Sequence, residues 1–211
     1  MADKKKIPES SWIYSNTVKD HFFNPRNFMK DEDEKKFKED GLGYVGSPEC
    51  GDMMKIWIKI DKEKDIITDI KWSTFGCASA IASTSVMSEM VKGMKLDKAM
   101  KITPQDIMKE LGGLPKIKVH CSVLGDKALR AAINDYYKRS GQEKRVKEEK
   151  AQVICTCLNV SDHDIEEAVL DGAFTFEKVQ YKTKVGTGCG NCIPRVKKMI
   201  KMYKEKHFGK E

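Results

Sequence analysis

Apolar and polar positions alternate most clearly at residues 53–60, MMKIWIKI, where Met54, Ile56, Ile58 and Ile60 share one face of an extended strand. The run IITDIKWSTF at 66–75 is also strand-like. The polar DKEKD between the two suits a turn, so the pair predicts a hairpin. Other stretches follow a helical spacing. One starts near Tyr14 and stops at about Asn24, because the residue before Pro25 avoids the helical region. After Phe75 and Gly76, CASAIASTSVMSEMVKG predicts a helix closed by Gly93. Thr103 and Pro104 suit an N-cap and a first turn, opening a short helix stopped by Gly112 and Gly113. In CSVLGDKALRAAINDYYKR, the spacing of Val123, Leu124, Ala128, Leu129, Ala132, Ile133 and Tyr136 predicts a long amphipathic helix. Residues 30–40 hold almost no apolar side chain and read as a loop.

The pattern changes after residue 139. SGQEKRVKEEKAQ (140–152) is polar and charged, with Val146 its only large apolar residue, and reads as a linker. A smaller unit follows. Ser161 caps a helix ended by Gly172, Thr175 caps a second, and PRVKKMIKMYKEK forms a third. The expected class is α+β. Residues 1–139 would form a domain with a small antiparallel sheet packed by helices, 140–152 a linker, and 153–211 a small, mainly helical domain with a basic C-terminal helix. There is no internal repeat.

Charge adds a constraint. The chain has 211 residues, 34% of them charged, with a net charge of +7. Lysine is mixed with acid in DEDEKKFKED and KRSGQEKRVKEEK, so most of the charge reads as solvated faces and no nucleic-acid partner is expected. No apolar run approaches the roughly 18–20 residues that span a bilayer. MADKKKIPESS at the N-terminus lacks the apolar core of a secretory signal and the arginines of a transit peptide. A cytoplasmic chain is expected, in which thiols stay reduced. Its seven cysteines, an odd number, then point to metal binding or chemistry rather than to a disulfide framework.

Three cysteines stand apart upstream. Cys50 lies in the loop SPECGDM, Cys77 at a strand-to-helix junction and Cys121 at the start of the long helix. Asp52 and His120 stand within two residues of a cysteine. The positive end of a helix favours the thiolate at Cys77 and Cys121. The spacing is not that of a zinc finger, and by itself it leaves open three unrelated buried cysteines. The other four, Cys155, Cys157, Cys189 and Cys192, form C-x-C and C-x-x-C pairs. C-x-C is a tighter bite than the usual zinc knuckle. A redox C-x-x-C would sit in a larger α/β domain, and a 2Fe–2S cluster needs four thiolates. Spacing leaves all three open.

The segments DHFFNPRN, VGSPECGDMM, FGCASAIASTS and LPKIKVHCSVLGDKAL resemble, in order, the signature segments of the IscU/NifU scaffold proteins, over about residues 14–138. The resemblance implies that Cys50, Cys77 and Cys121 build a transient iron–sulfur cluster, with Asp52 and His120 as exchangeable ligands. Iron or zinc suits the same donors. It also implies a cysteine desulfurase of NifS/IscS type, acceptor apoproteins, an electron donor, a homodimer and a scaffold rather than an enzyme. Cys121, flanked by His120 and Lys118, is the expected persulfide acceptor. Two positions depart from the family pattern. Ala78 replaces a common glycine, and Lys116 replaces a proline in the segment read by a DnaK-type chaperone, which bears on that partner alone.

CTCLNVSDHDIEEAV with GTGCGNC resembles the bacterioferritin-associated-ferredoxin (BFD)-like domain in the middle of NifU, which implies a permanent 2Fe–2S cluster, of redox role, on Cys155, Cys157, Cys189 and Cys192. Gly186, Gly188 and Gly190 would let the backbone approach that cluster and offer N–H groups to its sulfurs. Lys182, Lys184, Arg195 and the start of the last helix would offset its negative charge. The order of domains is that of NifU without its third, C-terminal (Nfu) domain, which carries a further C-x-x-C. The alternative is a 2Fe–2S electron carrier with structural zinc on the three upstream cysteines. His21, His163 and His207 read as structural or exposed, Trp57 and Trp72 as packing, and the Met-rich helix as core. The basic tail helix reads as a solvated face or a docking edge for an acidic redox partner.

Overall fold

The structure is a computed structural model that describes residues 14–46, 53–115, 118–147 and 151–209, with the backbone alone at 119–121. The hairpin read from alternation forms β2 (Met53–Asp61) and β3 (Ile66–Phe75), paired antiparallel from Met53 with Phe75 to Asp61 with Ile66. Met54, Ile56, Ile58 and Ile60 all face the core. Asp61 closes the turn by accepting from the N–H groups of Glu63 and Lys64. A third strand, β1 (Gly41–Gly46), pairs antiparallel with β2 at the edge of the sheet. Its GLGYVG sequence has no two-residue alternation of large apolar side chains, so pattern alone does not show it.

Helices cover the sheet. They are α1 (Asn16–Phe23), α2 (Asp31–Glu34), α3 (Ala78–Val91), α4 (Leu96–Ala99), α5 (Pro104–Glu110) and α6 (Val119–Arg139). The short α2 corrects the loop expected at 30–40; four acidic residues in one turn suit the positive end of a helix. Thr103 and Asp106 form a capping box at α5. The middle helix, α3, is buried on nearly every side, including Ser79, Ser83, Ser85 and Ser88, as expected of a helix without a polar face. Ser79, Ser85 and Ser88 are anchors. Ser85 Oγ lies 2.8 Å from His21 Nδ1 and accepts from the Arg26 N–H at 2.8 Å. His21 is therefore structural. Trp72 Nε1 donates to the Arg26 carbonyl at 2.8 Å, which ties the turn after α1 to β3.

The beginning of the expected linker is fastened to this first unit. Arg145 spans Asp65 and Asp97 at 2.6 and 3.0 Å and lies 4.3 Å over the Tyr137 ring. Asn134 exchanges hydrogen bonds with both the N–H and the carbonyl of Lys147. The second unit holds β4 (Val153–Cys155), β5 (Val160–Ser161), α7 (Asp162–Leu170), α8 (Phe176–Thr183) and α9 (Ile193–Phe208). Ser161 and Asp164 cap α7 reciprocally, and Thr175 caps α8. Its core is separate, built on Ile165, Val169, Val179, Val185, Val196 and Ile200.

The two units meet through Met108 and Val123 on one side and Leu170 and Phe208 on the other. Beside this patch, Glu166 on α7 is 3% exposed. It accepts from Lys206 at 2.8 Å, lies 2.8 Å from His207 Nε2, and pairs across the boundary with Lys127 at 3.5 Å. Burial alone would push its carboxyl up, but hydrogen bonds from His207 and Lys206 and the nearby Lys127 charge outweigh that and hold it well below the usual range.

Candidate metal centres

The upstream cysteines are far apart in sequence, and strand register brings together at one end of the sheet the described residues Gly46, Met53 and Phe75 that lie near two of them. Gly46 pairs with Met53, and Met53 with Phe75. The two residues that flank the segment carrying Cys50 and Asp52 therefore lie beside the strand end that leads to Cys77. Cys77 is half-buried and is the N-cap of α3, with extended backbone at φ −77° and ψ 170°. The third contribution comes from α6, which runs antiparallel to β1. A Cβ on Gly41 would meet the Ala132 carbonyl, and one on Gly43 the Ala128 carbonyl. Two residues of strand thus match four of helix, about 6.6 Å against 6 Å. Extending that match to Gly46 brings the first turn of α6, with His120 and Cys121, level with the same end. Lys118 is the N-cap residue of α6. Cys50 and Asp52 lie outside the described residues, as do the side chains of His120 and Cys121.

The four downstream cysteines come from two loops. Cys155 ends β4 and pairs with Val160, leaving Cys157 in the four-residue turn, where Asn159 has φ 52°. The other loop runs from Lys184, the left-handed C-cap of α8, through Gly186 and Gly190 at φ 79° and 76°, to Cys192 at the N-cap of α9. The thiols meet as two pairs. Cys157 Sγ lies 3.3 Å from Cys189 Sγ and both are exposed. Cys155, buried, is hydrogen-bonded to Cys192. Among the described residues no three His, Cys, Asp or Glu side chains surround a single ion.

Backbone N–H groups point at the sulfurs. Those of Gly186, Leu158 and Cys157 reach Cys155 and lower its pKa, and that of Asn191, followed by the Cys157 thiol, does so at Cys189. Burial, and then Cys155, pushes the Cys192 thiol up. Gly188 passes so close that an added Cβ would stand 3.1 Å from Cys157 Cβ and 3.5 Å from its Sγ. Two thiol pairs, N–H donors aimed at sulfur and a glycine cradle fit a 2Fe–2S cluster, which takes two thiolates per iron.

The basic C-terminal helix expected from the sequence belongs to a wider concentration of charge. Residues 176–208 hold nine Lys and Arg against two Glu, a surplus of seven. The whole chain has 39 Lys and Arg against 32 Asp and Glu, the same surplus. The net charge is therefore concentrated on α8, α9 and the loop between them that carries Cys189 and Cys192.

An α+β unit with Cys77 at the end of its sheet, followed by a small unit with four thiols in two pairs, fits the iron–sulfur class of proteins. The family model described as NifU-like N terminal domain matches residues 13–143, and the BFD-like [2Fe-2S] binding domain matches 153–202. The chain belongs to the family of NifU- and IscU-type iron–sulfur cluster scaffolds, and carries a BFD-like domain after the scaffold domain.

The nitrogen fixation protein NifU of Trichormus azollae is 40% identical over 197 residues, covering 92% of this chain and 65% of that protein. The chain thus spans about two-thirds of the length of the NifU relatives it matches. The iron-sulfur cluster assembly scaffold protein IscU 1 of Archaeoglobus fulgidus is 50% identical over 136 residues, covering 64% of this chain and 84% of that protein. Among solved structures, the N-terminal part of a NifU-like protein from Brucella abortus matches with TM-score 0.45 and 19% identity, over 59% of this chain and 94% of that one. No helix among the described residues is long and apolar enough to cross a membrane.

Proposed function

We propose that this chain assembles iron–sulfur clusters on its first unit and keeps a 2Fe–2S cluster on its second. The observation that carries the reading is the contrast between the two sites. In the first, strand register sets Gly46 and Met53, which flank the segment with Cys50 and Asp52, beside Phe75, which leads to Cys77, and on this reading Cys121 and the weaker donors Asp52 and His120 complete the set. Three thiolates and an exchangeable fourth ligand leave one corner of a cluster open to transfer. The second site supplies four thiolates and suits retention.

Sulfur enters at Cys121. Its thiolate attacks the outer sulfur of a cysteine persulfide on a desulfurase. The sulfur–sulfur bond of that persulfide breaks, the desulfurase leaves as its own thiolate, and a new sulfur–sulfur bond forms on Cys121. Lys118 and His120 flank this thiol, and the first turn of α6 favours its ionised form. Converting the bound sulfur to sulfide takes two electrons from a donor. Iron and sulfide assembled there are cargo for acceptor apoproteins. The four-thiolate cluster, when bound, supplies one-electron redox chemistry.

Anaerobic purification with iron and sulfide analysis and an absorption spectrum, before and after adding iron, cysteine and a desulfurase, tests this. The expected result is two irons that stay, plus further iron and sulfide that load and then leave under a chelator. A single non-exchanging cluster with zinc on the first unit would instead establish an electron carrier. Cys77→Ser should abolish the second, exchangeable pool and leave the resident irons in place.

A further inference from the structure

From the charge and geometry of the second unit, we infer that the end carrying Cys157 and Cys189 is a docking surface for an acidic electron-transfer protein. The inference rests on reading the four thiols as a 2Fe–2S site.

The placement of the two units comes first. The contact between them uses Leu170 at the end of α7 and Phe208 at the end of α9, with Gln105 Nε2 donating to the Lys206 carbonyl beside them. Cys192 sits at the opposite end of α9. Its 16 residues put the thiols about 24 Å along the helix from that contact. The direction of packing adds to the separation. Val123 packs with Leu170 while Lys127, one turn later, pairs with Glu166, so α6 runs antiparallel to α7. The first turn of α6, with Cys121, therefore points away from the four thiols. Among the described residues Cys157 and Cys189 are exposed, so that edge of the site faces outward.

The surface around it is charged beyond the needs of the site. A cluster on four thiolates is doubly negative, whereas residues 176–208 carry a surplus of seven positive charges. Two of the cations are used within the chain, Lys182 by Asp171 and Lys206 by Glu166. Glu177, held low by hydrogen bonds from its own N–H and from Thr175, also feels the charge of Lys197. Lys184, Arg195, Lys198 and Lys201 are exposed and have no acidic partner among the described residues. Lys184 and Arg195 flank the thiol loop directly.

Apolar side chains accompany them. Leu158, next to Cys157, is 43% exposed and Tyr181 is 78% exposed. An outward redox site with exposed apolar groups and a strong positive field fits a partner of opposite charge that arrives by electrostatic steering and exchanges one electron. Cys155, Cys157, Cys189 and Cys192 would hold the cluster, which would accept one electron from the reduced partner, leaving that partner oxidised.

The test is binding of the full chain, with its irons, to a purified plant-type ferredoxin of net negative charge, measured by titration calorimetry. Affinity should fall about tenfold or more between 50 and 300 mM NaCl. The double variant Lys198→Glu, Lys201→Glu should weaken binding at 50 mM NaCl by at least about tenfold. Both side chains are exposed on α9 and neither flanks the thiol loop, so the iron count and visible spectrum should stay unchanged. Binding that is absent at 50 mM NaCl, or equal in the variant, overturns the inference. So does displacement of the ferredoxin by an equimolar RNA oligonucleotide at 150 mM NaCl, which would make this a nucleic-acid face. A chain that purifies without two resident irons overturns the four-thiolate reading itself. One that holds them and does not bind overturns docking alone.

Discussion

Replacing Gly43 with Ala would test how α6 is held in place. Gly43 lies in β1, and an added Cβ would stand 2.0 Å from the Ala128 carbonyl oxygen and 2.7 Å from the Ala132 nitrogen. Both are backbone atoms of α6, so no side chain can rotate away. Cβ contacts shorter than 3.0 Å essentially do not occur, so strand and helix must separate by about 1 Å. Overpacking of this kind costs roughly 3 kcal/mol, the upper end of its usual range, because backbone must move on both sides. With a urea m-value of about 2 kcal/mol/M, the midpoint should fall by about 1.5 M. Tryptophan fluorescence reads this unit directly, since Trp57 and Trp72 are buried in its sheet.

A second substitution on the same helix should have the opposite sign. A Cβ on Gly125 meets Thr84 Oγ1 at 3.4 Å and Met87 Sδ at 3.6 Å, ordinary contacts. Gly125→Ala should therefore stabilise by about 0.5–1 kcal/mol through helix propensity. If Gly43→Ala lies within about 0.5 kcal/mol of the parent, or the two variants move together, the close strand–helix contact is not what sets the position of α6.

The remaining tests address the second unit and the boundary region. Glu166 has a depressed pKa, so its contribution to stability is fully present above its ordinary value of 4.5 and is lost as pH falls below it. Glu166→Gln should cost about 2–3 kcal/mol at pH 7 and flatten the pH dependence below 4.5, read by urea loss of the visible absorption of the second unit; an unchanged acid profile refutes the buried-pair argument. Gly188→Ala should speed chelator bleaching of the resident irons about tenfold while leaving tryptophan-detected unfolding unchanged, because its Cβ would press on Cys157 at 3.1 Å. Arg145→Ala should lower the stability of the first unit by about 1–2 kcal/mol in urea melts, since the guanidinium links Asp65 and Asp97 and covers Tyr137. A variant as stable as the parent would show that residues 143–147 are not part of that unit.

Much of this protein was legible before any coordinates. Alternation located β2 and β3, since a half-buried strand must alternate. Caps located α5, α7 and α8, since Thr103, Ser161 and Thr175 satisfy N–H groups that a helix leaves open. The C-x-C and C-x-x-C pairs announced a four-thiol site because their ligands are local in sequence, two by two. These features were readable because their causes act within a few residues.

Other features depend on what lies across space. Strand β1 exists because Gly41 and Gly43 let α6 approach, a requirement set by a helix some 90 residues away. The common end reached by Gly46, Met53 and Phe75 follows from strand register, and the arrival of the α6 start there follows from antiparallel packing. Position 166 looks like one more acid on a helix face until Lys127, Lys206 and His207 surround it. Local sequence by itself offered the candidate thiol positions, because donor type and spacing are properties of the chain. Tertiary structure alone decided that Gly46, Met53 and Phe75 share one end of the sheet and that the exposed Cys157 and Cys189 stand about 24 Å along α9 from the contact between the units, because those positions are set by packing between elements distant in the chain.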